Sequence, residues 1–219
     1  MAGRAAFIVM AKAPVPGLAK TRLVPALGAD GAAALAARLL EHALGQACAA
    51  ARTANGADGA DGADTVILAC APDTTHAAFE AAAARFALQR VAQSGGDLGE
   101  RMALAFDQAF GTAPPRADRV LMLGTDAPAL DAAMLRRARA ALDEADAVFV
   151  PAHDGGYALV GLRRPAPVLF ARGMPWSTDR VMALTRERLA AAGLRWTELP
   201  PVHDIDTPED LVHLPPGWL

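Results

Sequence analysis

Residues Ala5 to Leu23 read AAFIVMAKAPVPGLAKTRL. The stretch opens on a short apolar run, Ala5 to Ala11, which predicts a buried strand. It then breaks into a loop with Pro14, Pro16 and Gly17 and leaves through Lys20, Thr21, Arg22 and Leu23. Lys12 and Lys20 are the only lysines in the chain, and the remaining Lys/Arg charge is all Arg. A chain that uses Arg by default but keeps both lysines in one loop after a strand wants compact ammonium charges there. Lys meets phosphate as a point charge, whereas Arg meets it as a planar fork. The backbone around Gly17, with Lys12, Lys20, Thr21 and Arg22, therefore predicts a cradle for a di- or triphosphate. It is not a Walker loop. Ala19 stands where that motif needs a glycine before its lysine, and Pro14 where it needs the first glycine.

Working outward, strands alternate with helices. Asp30 is positioned to cap a long helix to about Arg52, with Leu35, Leu39 and Ala43 on its apolar side. Three tandem Gly-Ala-Asp units follow, and residues 53–64 read as a flexible low-complexity linker. Asp58, Asp61 and Asp64 lack the alternating spacing and terminal Glu of a calcium loop. Thr65 to Ala71 predicts a second strand, Thr74 or Thr75 the start of a helix to about Phe86, and Leu88 to Ala92 a third strand. Leu98, Met102, Phe106 and Phe110 recur every four residues and predict a helix after the glycine-rich Gln93 to Gly99. Ala117 to Gly124 is the strongest central strand, followed by a helix capped by Asp131 and running to about Leu142. Ala147 to Pro151 and Tyr157 to Leu162 read as strands, and Trp176 to Asp179 as a helix start. Leu194 to Leu199 is a late strand, and Thr207 caps a last short helix with Pro208 at its first position. The alternation predicts a single domain over 1–219 with a three-layer α/β/α, mostly parallel sheet. Mixed or antiparallel pairing is expected over Asp146 to Leu162.

Composition excludes several functions. A net charge of −3 in 219 residues argues against nucleic acid as a partner, and no basic amphipathic helix suggests a membrane surface. Cys48 and Cys70 match no metal spacing and read as buried thiols. The opening apolar run is too short for a signal peptide or a membrane span, which predicts a cytoplasmic protein.

In open α/β sheets ligands bind beyond the carboxyl ends of the strands. Four motifs fall there: the Lys12 to Arg22 loop, Gln93 to Gly99, Thr125-Asp126, and Asp154-Gly155-Gly156. A carboxylate at the end of a buried strand is costly unless hydrogen-bonded or bound to a cation, and Asp126 suits Mg²⁺ beside phosphates. Asp204-Ile205-Asp206 places two carboxylates on one side with Ile205 turned inward. Asp206 is either a second metal ligand or a turn aspartate. The adjacent glycines before Tyr157 allow close approach of a ligand, or simply a tight hairpin. Trp176 could stack on a base or sugar, or staple the following helix. No Gly-x-Ser-x-Gly elbow surrounds Ser94 or Ser177, so a serine triad is not indicated.

Taken together, these motifs carry a resemblance. They are Lys12-x-Pro-x-x-Gly-x-x-Lys-Thr-Arg-Leu23, Gln93-x-Gly-Gly-Asp-Leu-Gly-Glu-Arg-Met102, Gly124-Thr-Asp-x-Pro128, Asp154-Gly-Gly-Tyr157, Trp176-Ser-Thr178 and Asp204-Ile-Asp-Thr-Pro-Glu-Asp210. In order and over nearly the whole chain they resemble the bacterial glycosyltransferase-A-like family, often labelled radical-SAM/selenodomain-associated or arsenosugar-biosynthesis transferase. The resemblance implies a nucleotide-diphospho-sugar transferase fold. It implies that Lys20 and Arg22 hold phosphates, that Gln93, Leu98 and Gly99 approach the base, and that Asp126, with Asp206 by position, binds Mg²⁺ or Mn²⁺. The chain departs from the family at His153, where an acidic or small residue is common, and at the Gly-Ala-Asp linker. The expected activity is a metal-dependent glycosyltransferase with a nucleotide-diphospho-sugar donor and a small acceptor. Lys20, Arg22 and Asp126 would be catalytic, with Asp154, Gly155, Gly156, Tyr157 and Trp176 on the acceptor side. The alternatives are a guanylyltransferase-like nucleotidyltransferase that releases pyrophosphate, and a non-catalytic nucleotide-binding domain. A homodimer is an allowed assembly.

Overall fold

The computed structural model describes residues 3–54, 64–111 and 117–219. Its strands are β1 (Ala5–Lys12), β2 (Thr65–Ala71), β3 (Gln89–Ala92), β4 (Arg119–Leu123), β5 (Ala147–Pro151), β6 (Tyr157–Leu162) and β7 (Trp196–Glu198). They form one sheet in the order β3-β2-β1-β4-β6-β5-β7. All neighbours pair in parallel except β6, which is antiparallel to both β4 and β5. The irregular stretch over Asp146 to Leu162 is thus one reversed strand inside a parallel sheet. Its Gly161 is enforced by packing, since a Cβ there would lie 2.6 Å from Val148 Cγ1.

The helices are α1 (Val24–Ala54), α2 (Ala77–Phe86), α3 (Leu98–Phe110), α4 (Ala132–Ala141) and α5 (Val181–Ala191). Successive residues of β1 serve opposite faces, as the period of a strand requires. Phe7 and Val9 share one core with Leu40 and Leu44 of α1, Phe79 of α2 and Leu135 of α4. Ala6 and Ile8 share the other with Phe106 of α3, Phe170, and Leu189 of α5. This is the expected three-layer α/β/α fold with a mixed, mostly parallel sheet. By length and composition Thr21–Arg52 is apolar enough to cross a membrane. In the fold this stretch lies on the sheet and contributes Leu39, Leu44 and Ala47 to the interior.

Several boundaries differ from the sequence reading. The first helix begins at Val24 and is broken at Gly28, whose φ of 72° and ψ of 168° are not helical, so Asp30 lies two residues past a break. α2 starts at Ala77, where His76 accepts from Ala78 N–H. Thr75 is held instead by Asp73, which accepts from both its N–H and its hydroxyl. α5 starts at Val181, after the Trp176 to Asp179 turn. The last segment, Pro208–His213, is a 3-10 helix with the expected Thr207/Asp210 capping box.

The linker expected over 53–64 falls mostly outside the described residues, but its last residue corrects that reading. Asp64 is buried and accepts from Ala5 N–H and from the Arg139 guanidinium, so it is a latch, not part of a linker.

Candidate functional site

The polypeptide after β1 turns tightly. Val15 O accepts from both Leu18 and Ala19 N–H, Gly17 takes a φ of 75°, and Lys12 Nζ donates to Leu18 O at 2.9 Å. Lys12 therefore braces its own loop. The turn delivers Lys20 in the left-handed conformation (φ 47°, ψ 45°), which costs a non-glycine residue roughly 1–2 kcal/mol. Thr21 and Arg22 come next, both exposed.

Three interactions offset that strain. Lys20 Nζ lies 2.5 Å from Asp126 Oδ1, 2.8 Å from Asp206 Oδ1 and 2.7 Å from Ile205 O. Three acceptors saturate the three protons of an ammonium. Only 9% of the Lys20 side chain is exposed, while Asp126 and Asp206 are 44% and 42% exposed. Burial works against the Lys20 charge, but Asp126 and Asp206 outweigh it and raise the pKa above the ordinary value. The ammonium is thus a fixed cation inside a half-open acidic mouth.

Each acid is positioned by the fold. Asp126 lies beyond the end of β4, and its backbone O accepts from Ile205 N–H at 2.8 Å, which ties the two loops together. His42 of α1 bonds Pro128 O at 2.9 Å. Ile205 is fully buried against Leu35 and Leu39 of α1, so Asp204 and Asp206 are turned the other way, as the alternation predicts. Asp210 accepts from the backbone N–H groups of Asp206 and Thr207 and from the Thr207 hydroxyl, so it is a cap and no ligand. Asp204 carries no role in the sequence reading, yet it is strongly perturbed. Burial first, then Asp126, Asp154 and Asp206, push its carboxyl up to about 7, with Lys20 opposing.

The other motifs reach the same edge in different roles. Gln93 Nε2 donates to Ala11 O and Ala69 O, clamping the ends of β1 and β2, which leaves its Oε1 as the group that could face a ligand. Asp97 caps α3, where Leu98 is exposed and Gly99 buried. A Cβ on Gly99 would lie 2.6 Å from the Trp176 indole nitrogen, so the structure joins these two motifs by direct packing. Gly155 takes a φ of 89°, and a Cβ there would lie 2.2 Å from Asp179 O. The need for glycine at 155 is met by the docking of this turn onto the start of α5. Asp154 is exposed and accepts from Gly156 N–H. Tyr157 packs edge-on against Phe149, and burial raises its hydroxyl pKa, with Arg188 opposing.

A feature that no sequence motif announces lies beside the acids. The imidazoles of His153, His203 and His213 stack face to face, with centroids 4.0 and 3.6 Å apart. Near-parallel rings point their in-plane lone pairs side by side, so the stack does not converge on one ion. Among the described residues no group of three or more His, Cys, Asp or Glu is arranged to hold a metal. The acceptors around Lys20 Nζ are two carboxylates and a carbonyl, all hard oxygens that already hold a positive charge. That set fits a Mg²⁺-like ion bound by two carboxylates, with substrate phosphates and waters completing its octahedron.

Residues 53–178 match the family described as "Uncharacterized protein conserved in bacteria (DUF2064)". No curated protein matches the chain. Among solved structures, a candidate nucleotide-diphospho-sugar transferase of Desulfovibrio desulfuricans is 30% identical. The alignment covers 94% of this chain and 83% of that one, with a TM-score of 0.78. A Methanothermobacter nucleotidyl transferase is 15% identical over 96% of this chain and 95% of that one, at a TM-score of 0.62. A Mycobacterium tuberculosis protein solved with manganese is 20% identical over 96% and 97%, at a TM-score of 0.52. The latter two likenesses show the fold. The fold, the motif order and the family match agree: this chain belongs to the DUF2064 family, within the nucleotide-diphospho-sugar transferase fold.

Proposed function

We propose that the protein is a transferase acting on a nucleotide-linked donor, with a divalent cation held by Asp126 and Asp206, and that its reaction is glycosyl transfer from a nucleoside-diphosphate sugar. The observation that carries this reading is the pair of carboxylates from two separate loops meeting on the Lys20 ammonium at the carboxyl edge of the sheet. The name of the Desulfovibrio relative and the motif resemblance to radical-SAM/selenodomain-associated transferases support the sugar-nucleotide donor.

In this reading Arg22 and Lys20 hold the donor phosphates, and Lys12 keeps the loop in shape through Leu18 O. Gln93 fixes the ends of β1 and β2 beneath the nucleotide. Trp176, seated on Gly99, supplies a flat wall, and the Asp154 turn borders the acceptor side. An acceptor oxygen forms a bond to the anomeric carbon as the bond from that carbon to phosphate oxygen breaks. The electron pair leaves with the nucleoside diphosphate, and the acceptor proton passes to solvent. The cation supplies charge stabilisation for the departing diphosphate, which is usually the main source of rate in such chemistry. Otherwise the chain works by positioning.

A second reading, nucleotidyl transfer, is favoured by one observation. Asp126 stands in Gly-Thr-Asp-Ala rather than a paired Asp-x-Asp, with a Lys/Arg loop opposite that suits a departing pyrophosphate. An acceptor phosphate would then attack the α-phosphorus of a nucleoside triphosphate and expel pyrophosphate. Incubation with nucleoside triphosphates and with UDP-, GDP- and dTDP-sugars plus Mg²⁺ separates the two. Release of sugar and nucleoside diphosphate is the expected result, while pyrophosphate release selects the second reading. Asp126→Asn should abolish cation-dependent nucleotide binding with the fold intact, and unchanged binding would remove the site assignment.

A further inference from the structure

Lys20 cannot grip a phosphate while all three of its protons are engaged. Its Nζ is bonded to Asp126 Oδ1, Asp206 Oδ1 and Ile205 O, and its side chain is nearly buried. Two of those oxygens belong to the carboxylates assigned to the divalent cation. We propose that Lys20 is a resident counter-ion that occupies the cation's seat, so that cation loading and release of the Lys20 ammonium toward the donor phosphates are one event. The inference rests on the cation assignment made above and adds an order of assembly to it.

The physical argument is charge balance. Without a ligand, Asp126 and Asp206 need a cation, and Lys20 is the only Lys or Arg in ion-pair distance of either among the described residues. A divalent ion at those carboxylates would face an ammonium drawn to the same oxygens, and the two cations repel. Displaced, the ammonium needs new acceptors, and incoming phosphate oxygens on the β1 loop provide them. Lys20 reaches the acids from a left-handed backbone, and the rotatable bonds of its four-carbon stem give its end a way to swing toward new acceptors. By linkage, cation and nucleotide should then raise each other's affinity. With the ammonium in place, the protein alone should hold the cation poorly.

The chain offers a direct probe, because it contains only two lysines. Selective ¹³C labelling of lysine Cε yields one signal for Lys12 and one for Lys20 in the unaltered protein. Titration with Mg²⁺ and a nucleoside diphosphate should move the Lys20 signal far more than that of Lys12, which stays bonded to Leu18 O. In parallel, free Mn²⁺ is followed by electron paramagnetic resonance. Lys20→Met and Lys20→Gln should bind Mn²⁺ without nucleotide about tenfold more tightly than the wild type, and should lose most of the enhancement that nucleotide brings.

Equal Mn²⁺ affinity in wild type and variants, or a Lys20 signal that ignores bound Mg²⁺, would overturn the proposal, since the cation would then use the other carboxylate oxygens. Asp126→Asn distinguishes the levels of failure. If it also binds Mn²⁺ as the wild type does, the cation assignment itself falls. If it loses Mn²⁺ while the Lys20 variants match the wild type, only the displacement falls.

Discussion

Two ion clusters sit at opposite ends of the same sheet. At the amino end, Asp64 precedes β2 and Arg139 lies in the last turn of α4. Asp64 accepts from Ala5 N–H and from Arg139 Nε at 2.8 Å, and Arg139 also donates to Gly3 O. The Asp64 side chain is 1% exposed. Among the described residues this cluster sets one acid, closed from water, against one largely covered guanidinium. At the carboxyl end one ammonium serves two carboxylates, and beside them burial, then Asp126, Asp154 and Asp206, raise the Asp204 carboxyl. That cluster is acid-rich and half open. A balanced, closed pair fixes structure, while an unbalanced, open one is held ready for a cation and an anionic ligand.

The largest way to break the comparison is at the closed end. Asp64→Ala would leave the largely covered Arg139 guanidinium without its acid and the buried Ala5 N–H without its acceptor, which costs about 3–5 kcal/mol. Urea denaturation should show that loss, and nucleotide affinity per folded molecule should be unchanged. A loss below about 1 kcal/mol, the scale of a surface pair, would erase the contrast between the clusters.

The open end should respond in the opposite sense. The Asp204 carboxyl sits near 7 in the fold against an ordinary value of 3.8. The folded state then binds the proton more tightly than the unfolded chain. As pH rises between those values, the wild type loses stability, and the full penalty is present above about pH 7. Asp204→Asn removes it. In chelator, thermal melts should show the variant equal to the wild type near pH 4 and more stable above pH 7, by about 2 kcal/mol after solvent screening. A variant less stable at pH 8 would mean that the carboxylate is satisfied where it stands.

The smallest effect concerns the histidines beside the acids. Partial desolvation, His153 and His213 hold the His203 pKa below its ordinary value, against Asp210. Its contribution to stability is present above about pH 6.5 and is lost as pH falls through its depressed midpoint. In His213→Ala, proton NMR of the His203 ring should show the midpoint moving up. No movement would mean the stacked rings do not interact electrostatically.

Much of this is legible in the sequence, for a physical reason. The apolar runs at Ala5, Thr65 and Ala117 mark strands buried on both faces, and the loops that leave their carboxyl ends must gather at one edge. Asp206 and Lys20 meet there because Ile205, between the two acids, has nowhere to go but the core. Asp64 escapes a local reading because its setting, the third Gly-Ala-Asp, is that of a linker. Its partner Arg139 lies 75 residues away. The histidine stack draws on three segments that only the fold brings together, and no local spacing encodes it. The Trp176–Gly99 contact is of the same kind. Lys20 reads as a phosphate ligand from its type and loop, and nothing local shows that its first partners are carboxylates.

The most direct measurement is anomalous diffraction at the manganese edge from crystals grown with Mn²⁺ and a nucleoside diphosphate. The expected result is one peak roughly 2 Å from carboxylate oxygens of both Asp126 and Asp206, with the diphosphate completing its coordination. A nucleotide bound there with no peak between those carboxylates, or a peak elsewhere on the protein, would contradict the reading of this edge as a cation-assisted transfer site.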